Sequence, residues 1–304
     1  MAKILVTGGA GFIGSNLVDS LIAKGHEITI IDNLTTGSKK NVNSKAKFVV
    51  KDIRDDLNSL FSEGSFDYVF HLAAQANVRK SLENPKEDAS INILGSLNII
   101  DNCVKHKVKK IIFSSTGGAI YSKYAKLPCH EESEIKPESP YGLAKFSVEN
   151  YLRIIKNTYG LDYCILRYSN VYGPRQDAKG EAGVVSIFID RLLKGEDLLV
   201  FGDGEQTRDF IYVKDVVNAN VLAMEKNLSD VFNVGTGKEI SVNELAKMLL
   251  KITGKKAKIV HGIAITGELL RNALNADKLR KKGWSNEYTL ENGLKETCEW
   301  FVNK

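Results

Sequence analysis

Residues 3–32 read KILVTGGAGFIGSNLVDSLIAKGHEITIID, and this stretch decides the fold. Lys3–Thr7 is an apolar run of strand length, and the turn Gly8-Gly9-Ala10-Gly11-Phe12-Ile13-Gly14 follows it directly. Beyond the turn, Ile13, Leu17 and Leu21 recur at i, i+4 and i+8, with Val18 and Ile22 widening the stripe, which predicts a helix. Gly25 stands where a C-terminal cap belongs, and Glu27–Asp32 predicts a second strand ending in an acid. The glycines are spaced G-x-x-G-x-x-G. They let the backbone turn tightly and approach a pyrophosphate, while the helix N-terminus presents N–H groups and a partial charge of roughly +0.5. Asp32 is suited to accept hydrogen bonds from both ribose hydroxyls of an adenosine half and to repel a 2′-phosphate. Asn33 follows it with no arginine alongside, so NAD rather than NADP is expected.

The same rhythm runs outward. Phe48–Val50, Tyr68–Ala73, Lys110–Ser115 and Tyr163–Tyr168 predict strands, and Ile91–Cys103 and Tyr141–Lys156 predict helices. Strands that are apolar throughout, separated by amphipathic helices, predict a parallel sheet covered on both faces. After Asn170 the texture changes, and glycine and charge dominate Gly173–Gly183, a candidate substrate loop. Val184–Leu193 and Val242–Ile252 predict further helices. Phe210–Val213 and Phe232–Val234 predict short strands that return to the main sheet.

Composition sets bounds on function. The chain has 304 residues, a net charge of +5 and 26% charged residues, an ordinary globular balance. Its basic clusters (Lys39-Lys40, Lys109-Lys110, Arg280–Lys282) are short and scattered, which suits small anionic substrates and requires no nucleic acid. The apolar runs are too short to span a bilayer, and Met-Ala-Lys leads straight into a strand pattern, so a cytoplasmic protein is expected. Cys103, Cys129, Cys164 and Cys298 form no C-x-x-C pair, and with five scattered histidines they predict no metal site.

Tyr141 and Lys145 lie four apart on a predicted helix and share one face; Ser139 can cap that helix and Pro140 suits its first turn. A free tyrosine, with a pKa near ~10, is a poor base at neutral pH. A nearby ammonium and the positive nicotinamide of NAD would stabilise its phenolate. The strand Lys110–Ser115 runs into Thr116-Gly117-Gly118, which places hydroxyls at the carboxyl end of the sheet, where ligands bind in such folds. Thr116 can hydrogen-bond a reacting hydroxyl and share its proton with Tyr141.

Together these motifs resemble the extended short-chain dehydrogenase/reductases, and more closely the UDP-glucose 4-epimerases within the NAD-dependent epimerase/dehydratase family. The stretches that carry the resemblance span nearly the whole chain: TGGAGFIGSNL, IIDNLTTG, HLAAQANV, SSTGGAIY, SPYGLAK, LRYSNVYGPRQ, GEAGVVSIFIDRLLKGE, FGDGEQTRDFIYVKDVV and FNVGTG. The resemblance implies a Rossmann-type doubly wound parallel sheet over 1–170, rejoined by about 209–235, and a smaller C-terminal α/β domain over 171–304 that takes the nucleotide sugar. It implies a catalytic set of Thr116, Tyr141 and Lys145. Gly8, Gly11, Phe12, Ile13, Gly14, Asp32, Asn33, Gly37, Asp52, Ile53, Ala73 and Gln75 would contact NAD, with Tyr141 and Lys145 beside its nicotinamide end. Asn170 and Arg208 would hold the UDP diphosphate, and Val184, Val200 and Phe201 would surround the uracil and ribose. The implied reaction oxidises C4 of a UDP-hexose to a transient ketone, turns the sugar over and reduces the other face. It also implies a homodimer, built by pairing the helices of Ile91–Cys103 and Tyr141–Lys156 with their copies.

The chain departs from its relatives in several places. Dehydratases of the superfamily carry Asp-Glu after the threonine, where this chain has Gly117-Gly118. Ser122 replaces a usual glycine. Ile265, before Gly267-Glu268, replaces a diphosphate-binding arginine, and Arg271 is a candidate substitute. Asn272 stands where relatives gate the space beside C2 of the sugar. A tyrosine there favours plain hexoses, whereas asparagine would admit an N-acetyl group; the alternative is a surface-loop asparagine. The competing functions are another nucleotide-sugar oxidoreductase (a reductase, decarboxylase or dehydratase) and a non-catalytic NAD-binding sensor.

Overall fold

The computed structural model describes residues 1–178, 183–264 and 269–303. In chain order the first part comprises β1 (Lys3–Thr7), α1 (Phe12–Ala23), β2 (Glu27–Asp32), β3 (Lys47–Val50), α2 (Asn58–Gly64), β4 (Tyr68–His71), α3 (Val78–Glu83), α4 (Pro85–Ala89), a π-helical turn Ser90–Gly95, α5 (Ser96–Lys105), β5 (Lys110–Thr116), α6 (Pro140–Tyr159) and β6 (Asp162–Tyr168). The rest comprises β7 (Asn170–Tyr172), α7 (Val184–Leu193), β8 (Leu198–Phe201), β9 (Thr207–Arg208), β10 (Phe210–Tyr212), α8 (Val213–Glu225), β11 (Val231–Val234), β12 (Ile240–Ser241), α9 (Val242–Thr253), β13 (Ile259–Gly262), α10 (Asp277–Arg280) and α11 (Leu290–Val302).

Seven strands form one parallel sheet in the order β3-β2-β1-β4-β5-β6-β11. This is the doubly wound arrangement, with its switch point between β1 and β4. The alternation along β1 shows why both faces are dry. Ile4 and Val6 pack with Leu17, Leu21 and Val216, while Leu5 packs on the opposite face with Phe61, Ile99 and Val148. A third apolar cluster, around Phe188, Leu192, Leu245, Leu249 and Leu294, holds the C-terminal lobe together.

The predicted caps are present. Gly25 takes φ 83° after α1. Ser139 Oγ accepts from Gly142 N at the start of α6, Pro140 sits in its first turn, and Gly160 ends it at φ 78°.

Two expectations need correction. The helix predicted over Ile91–Cys103 is broken into a π turn followed by α5. Ser96 Oγ donates to Asn92 O at 2.6 Å, and the Asn92 side chain reaches out of the helix to Gln75, so the ladder bulges locally. Phe210–Tyr212 does not rejoin the main sheet; it pairs in parallel with β7, while Val231–Val234 does rejoin, beside β6. β11 occupies the free edge of β6, so β10 pairs with β7 instead, and the buried Asp209 carboxylate before it accepts from Thr236 N, Gly237 N and Leu274 N.

Candidate active site

A cleft of about 1240 Å³ opens at the carboxyl ends of the central strands. Its floor is the glycine turn. A Cβ on Gly8 would lie 2.8 Å from Ala73 N, and one on Gly14 would run into the Gly8 carbonyl, so these positions keep the backbone bare. No side chain caps the N-terminus of α1 and its first turn holds no acid. Both features leave that end open to an anion.

Asp32 is 8% exposed and accepts from Ala10 N at 3.0 Å and Leu34 N at 2.8 Å. Burial pushes its carboxyl above the usual range, against the pull of those two amides. Gly37 packs on it, and a Cβ there would come within 2.6 Å of Asp32 Oδ1. Beside it, Asn33 Nδ2 donates to Asp52 at 2.8 Å, and the Arg54 guanidinium holds the Asp52 carboxyl well below its ordinary value. Gly8, Gly11, Phe12, Ile13, Gly14, Asp32, Asn33, Asp52, Ile53, Ala73 and Gln75 all line the cleft; Gly37 stands just behind, shaping Asp32. Gln75 is locked in place. Its backbone N donates to Asn92 Oδ1 and its side chain donates to Asp88 Oδ1. Asp88 is buried, which raises its carboxyl, and its Oδ2 has no partner among the described residues.

The catalytic candidates converge on the end of β5. Lys145 is 4% exposed, and its Nζ donates to Ser114 O at 2.9 Å while lying 4.8 Å from the Phe113 ring centroid. Tyr141, one turn earlier on α6, lines the same cleft, as does Thr116, whose Oγ1 accepts from Gly118 N at 3.2 Å. Beneath them His71 is fully buried between Thr7 Oγ1 and Ser96 Oγ, at 2.7 and 2.9 Å. Burial, aided by the Lys145 charge, pushes its pKa down to about 3.

On the other wall, Asn170 and Val184 line the cleft. Gln176, Arg175, Ser169 and Trp300 line it too, and the sequence reading missed them. Ser169 Oγ, Asn170 Oδ1, Arg175 Nη1 and Gln176 Oε1 are buried without a hydrogen-bond partner among the described residues. This row of unmet polar groups is what a polar ligand would satisfy.

Several substrate-side candidates stand elsewhere. Val200 is 1% exposed and faces the core of the C-terminal lobe, so its side chain is closed to a ligand. Phe201 points the other way and is exposed, outside the cleft lining. Arg208 lies on β9, where Nη1 donates to Thr207 O at 2.8 Å, also outside that lining. Arg271 projects from the surface, its side chain 65% exposed, and pairs with Glu239 at 2.6 Å rather than entering the cleft. Asn272 is no surface residue: it is 4% exposed and donates to Gly117 O at 3.1 Å. Ser122 needs no glycine-like backbone; its N donates to Glu134 O and its Oγ accepts from Tyr124 N. Ile265, Gly267 and Glu268 lie outside the described residues. Those residues contain no cluster of His, Cys, Asp and Glu that could hold a metal ion.

An uncapped helix start, a bare glycine turn and a carboxylate ending β2 are the parts that seat a dinucleotide. The NAD dependent epimerase/dehydratase family matches residues 4–235, and the chain belongs to that family, with NAD as its cofactor. It is a UDP-glucose 4-epimerase-like isomerase. It is 40% identical to the UDP-glucose 4-epimerase of Mycolicibacterium smegmatis, over 99% of each chain. It superposes with a TM-score of 0.97, at 49% identity, on the UDP-glucose 4-epimerase of Thermotoga maritima solved with UDP-glucose, covering 99% of this chain and 98% of that one. The UDP-N-acetylglucosamine 4-epimerase of Methanobrevibacter ruminantium, solved with UDP-N-acetylmuramic acid, superposes at 0.94 with 38% identity, covering 99% and 98%.

Proposed function

We propose that the protein interconverts the C4 epimers of a UDP-hexose through a transient 4-keto sugar. The observation that carries this reading is the convergence of Lys145, Tyr141 and Thr116 at the end of β5, with Lys145 tied to the Ser114 carbonyl. Bound NAD supplies the acceptor and donor for the hydride at C4. Tyr141 takes the proton of the C4 hydroxyl and later returns one to the same oxygen. Lys145, held in place, favours the tyrosinate by its charge. Thr116 bonds the C4 oxygen and keeps it in line with Tyr141. Asn170 and the unmet polar groups around it grip the nucleotide far from the reacting carbon, so the sugar can rotate while the UDP stays bound.

Gly117 supports epimerisation over dehydration. Its Cβ would collide with the Leu274 side chain, so an acid at that position would have to displace Leu274. Asn272 is buried outside the cleft lining, so the support for N-acetylhexosamines beside plain hexoses is the likeness to the UDP-N-acetylglucosamine 4-epimerase of Methanobrevibacter ruminantium. Exposed Leu94, Leu143, Tyr151 and Ile154 on the π turn and α6 support a homodimer formed through those helices. Four buried, free cysteines suit the reducing cytoplasm.

The deciding experiment incubates the protein with UDP-galactose, and separately with UDP-N-acetylglucosamine, and follows the anomeric protons by NMR. A C4 epimer with no net NADH is expected. Stoichiometric NADH consumption, or no epimer from either sugar by folded protein holding NAD, would replace this reading with that of a nucleotide-sugar redox enzyme.

A further inference from the structure

We propose that Arg175 is a pyrophosphate-binding residue, set at the seam between α1 and the segment that follows β7. Three independent observations meet on it. First, its backbone sits at φ 72°, a left-handed conformation that is costly for any residue with a Cβ unless the surroundings impose it. Glycine or asparagine would occupy the position more cheaply, so the side chain is kept for what it does. Second, the guanidinium is aimed. Its Nη2 pairs with Asp19 on α1 at 2.6 Å, and the preceding residue is held by Asn16 Nδ2, which donates to Pro174 O at 3.2 Å. Third, its other terminal nitrogen, Nη1, is buried and has no hydrogen-bond partner among the described residues, although the side chain lines the cleft.

A desolvated guanidinium N–H without an acceptor is costly, and that cost ends when an anionic oxygen arrives. The nature of the anion follows from the neighbourhood. Phe12 and Ile13, at the uncapped start of α1 about two helical turns from Asp19, line the same cleft, so the helix start and the guanidinium both present N–H donors to it, the donors that suit phosphate oxygens. Asp19 fixes the fork without filling it, because it takes Nη2 and leaves Nη1. Two pyrophosphates share this chemistry, that of the dinucleotide and that of a nucleotide sugar, and the second source rests on the function proposed above.

The test uses binding rather than turnover. Arg175→Asn keeps a residue that tolerates the left-handed backbone but lacks the guanidinium. Arg175→Lys keeps the charge but lacks the fork. For each variant, NAD retained per protomer and NAD affinity are measured after nucleotide release, and UDP affinity is measured by calorimetry on NAD-loaded protein; thermal unfolding is recorded alongside. The expected result is an affinity for one pyrophosphate ligand about 10-fold or more weaker in Arg175→Asn, partly restored in Arg175→Lys, with the ligand-free unfolding midpoint unchanged or raised. A loss confined to NAD assigns Arg175 to the cofactor, and a loss confined to UDP assigns it to the substrate. Unchanged affinity for both ligands, with or without a lower midpoint, overturns the proposal. Wild-type protein that holds NAD but ignores UDP would sink the UDP-sugar reading and leave the NAD arm to decide on Arg175.

Discussion

Glu149 and Arg167 meet in the interior with Nη2 and Oε2 2.6 Å apart, and each side chain is only 4% exposed. Glu149 stands four residues after Lys145 on the same face of α6, and it accepts from Ser115 Oγ at 2.5 Å, next to Thr116. Arg167 also donates to Tyr121 OH and Glu131 O. The pair therefore ties α6 to β5 and β6 beside the cleft. Arg167→Met would strand a buried carboxylate and cost about 3–5 kcal/mol. Urea unfolding should show that loss, and it should shrink when Glu149→Gln is added. Equal losses in the single and double variants would mean that the ion pair contributes nothing beyond packing.

His71 gives stability a pH dependence of definite sign. Its folded pKa of about 3 lies below its unfolded value of 6.5, because burial disfavours the charged ring. The unfolded chain therefore binds a proton below pH 6.5 that the folded chain refuses. The contribution is complete above 6.5 and is lost as pH falls towards 3, at up to about 1.4 kcal/mol per pH unit. Urea titrations from about pH 7 down to about pH 4 should show a shallower slope in His71→Gln than in the wild type. Parallel slopes would count against the buried neutral ring.

Gly14 faces the Gly8 carbonyl, and that contact is backbone against backbone. Gly14→Ala cannot be relieved by a side-chain rotation, so the turn must open. The purified variant should retain at least about tenfold less NAD, measured by nucleotide release, while its circular dichroism stays helical.

Tyr141→Phe removes only the hydroxyl from the proposed proton transfer. Turnover should fall by about 10²–10⁴-fold, with NAD content and UDP affinity unchanged. A variant of undiminished rate would remove Tyr141 from the chemistry.

Asn272→Tyr forces a larger side chain against Gly117, next to the cleft-lining Gly118. If the displaced turn narrows the room for an N-acetyl group, kcat/KM for UDP-N-acetylgalactosamine should drop about 10-fold or more relative to UDP-galactose. An unchanged ratio would place sugar selection elsewhere.

The dinucleotide half was legible because its signals are local: β1, the turn, α1 and β2 lie within one run of sequence, and the Ser139–Pro140 start of α6 caps itself. Thr116, Tyr141 and Lys145 could be placed at one cleft for the same reason, since Thr116 ends a strand and Tyr141 and Lys145 share a helix face. The substrate side was harder to read. Leu198–Phe201 is apolar throughout, so no polar contrast shows which face is the core, and only the fold turns Val200 inwards and Phe201 outwards. Arg271 is diverted by Glu239, 32 residues away, and no local pattern announces such a pair. Arg175 and Trp300 reach the cleft through tertiary packing alone, the latter from the C-terminal helix.

The last strand of the central sheet, Val231–Val234, is drawn from beyond an excursion that carries β7, α7, β8, β9, β10 and α8. The polypeptide leaves the sheet after β6 and must come back to complete it. The two parts are thus interlaced, and a cut before the excursion leaves the sheet one strand short. A fragment ending near residue 170 would bare the β6 edge, an unpaired strand prone to recruiting other chains. During synthesis the central sheet stays unfinished until residues 171–230 have been made, while Val242, Leu245, Leu249 and Leu294, which complete the core of the C-terminal lobe, emerge later still.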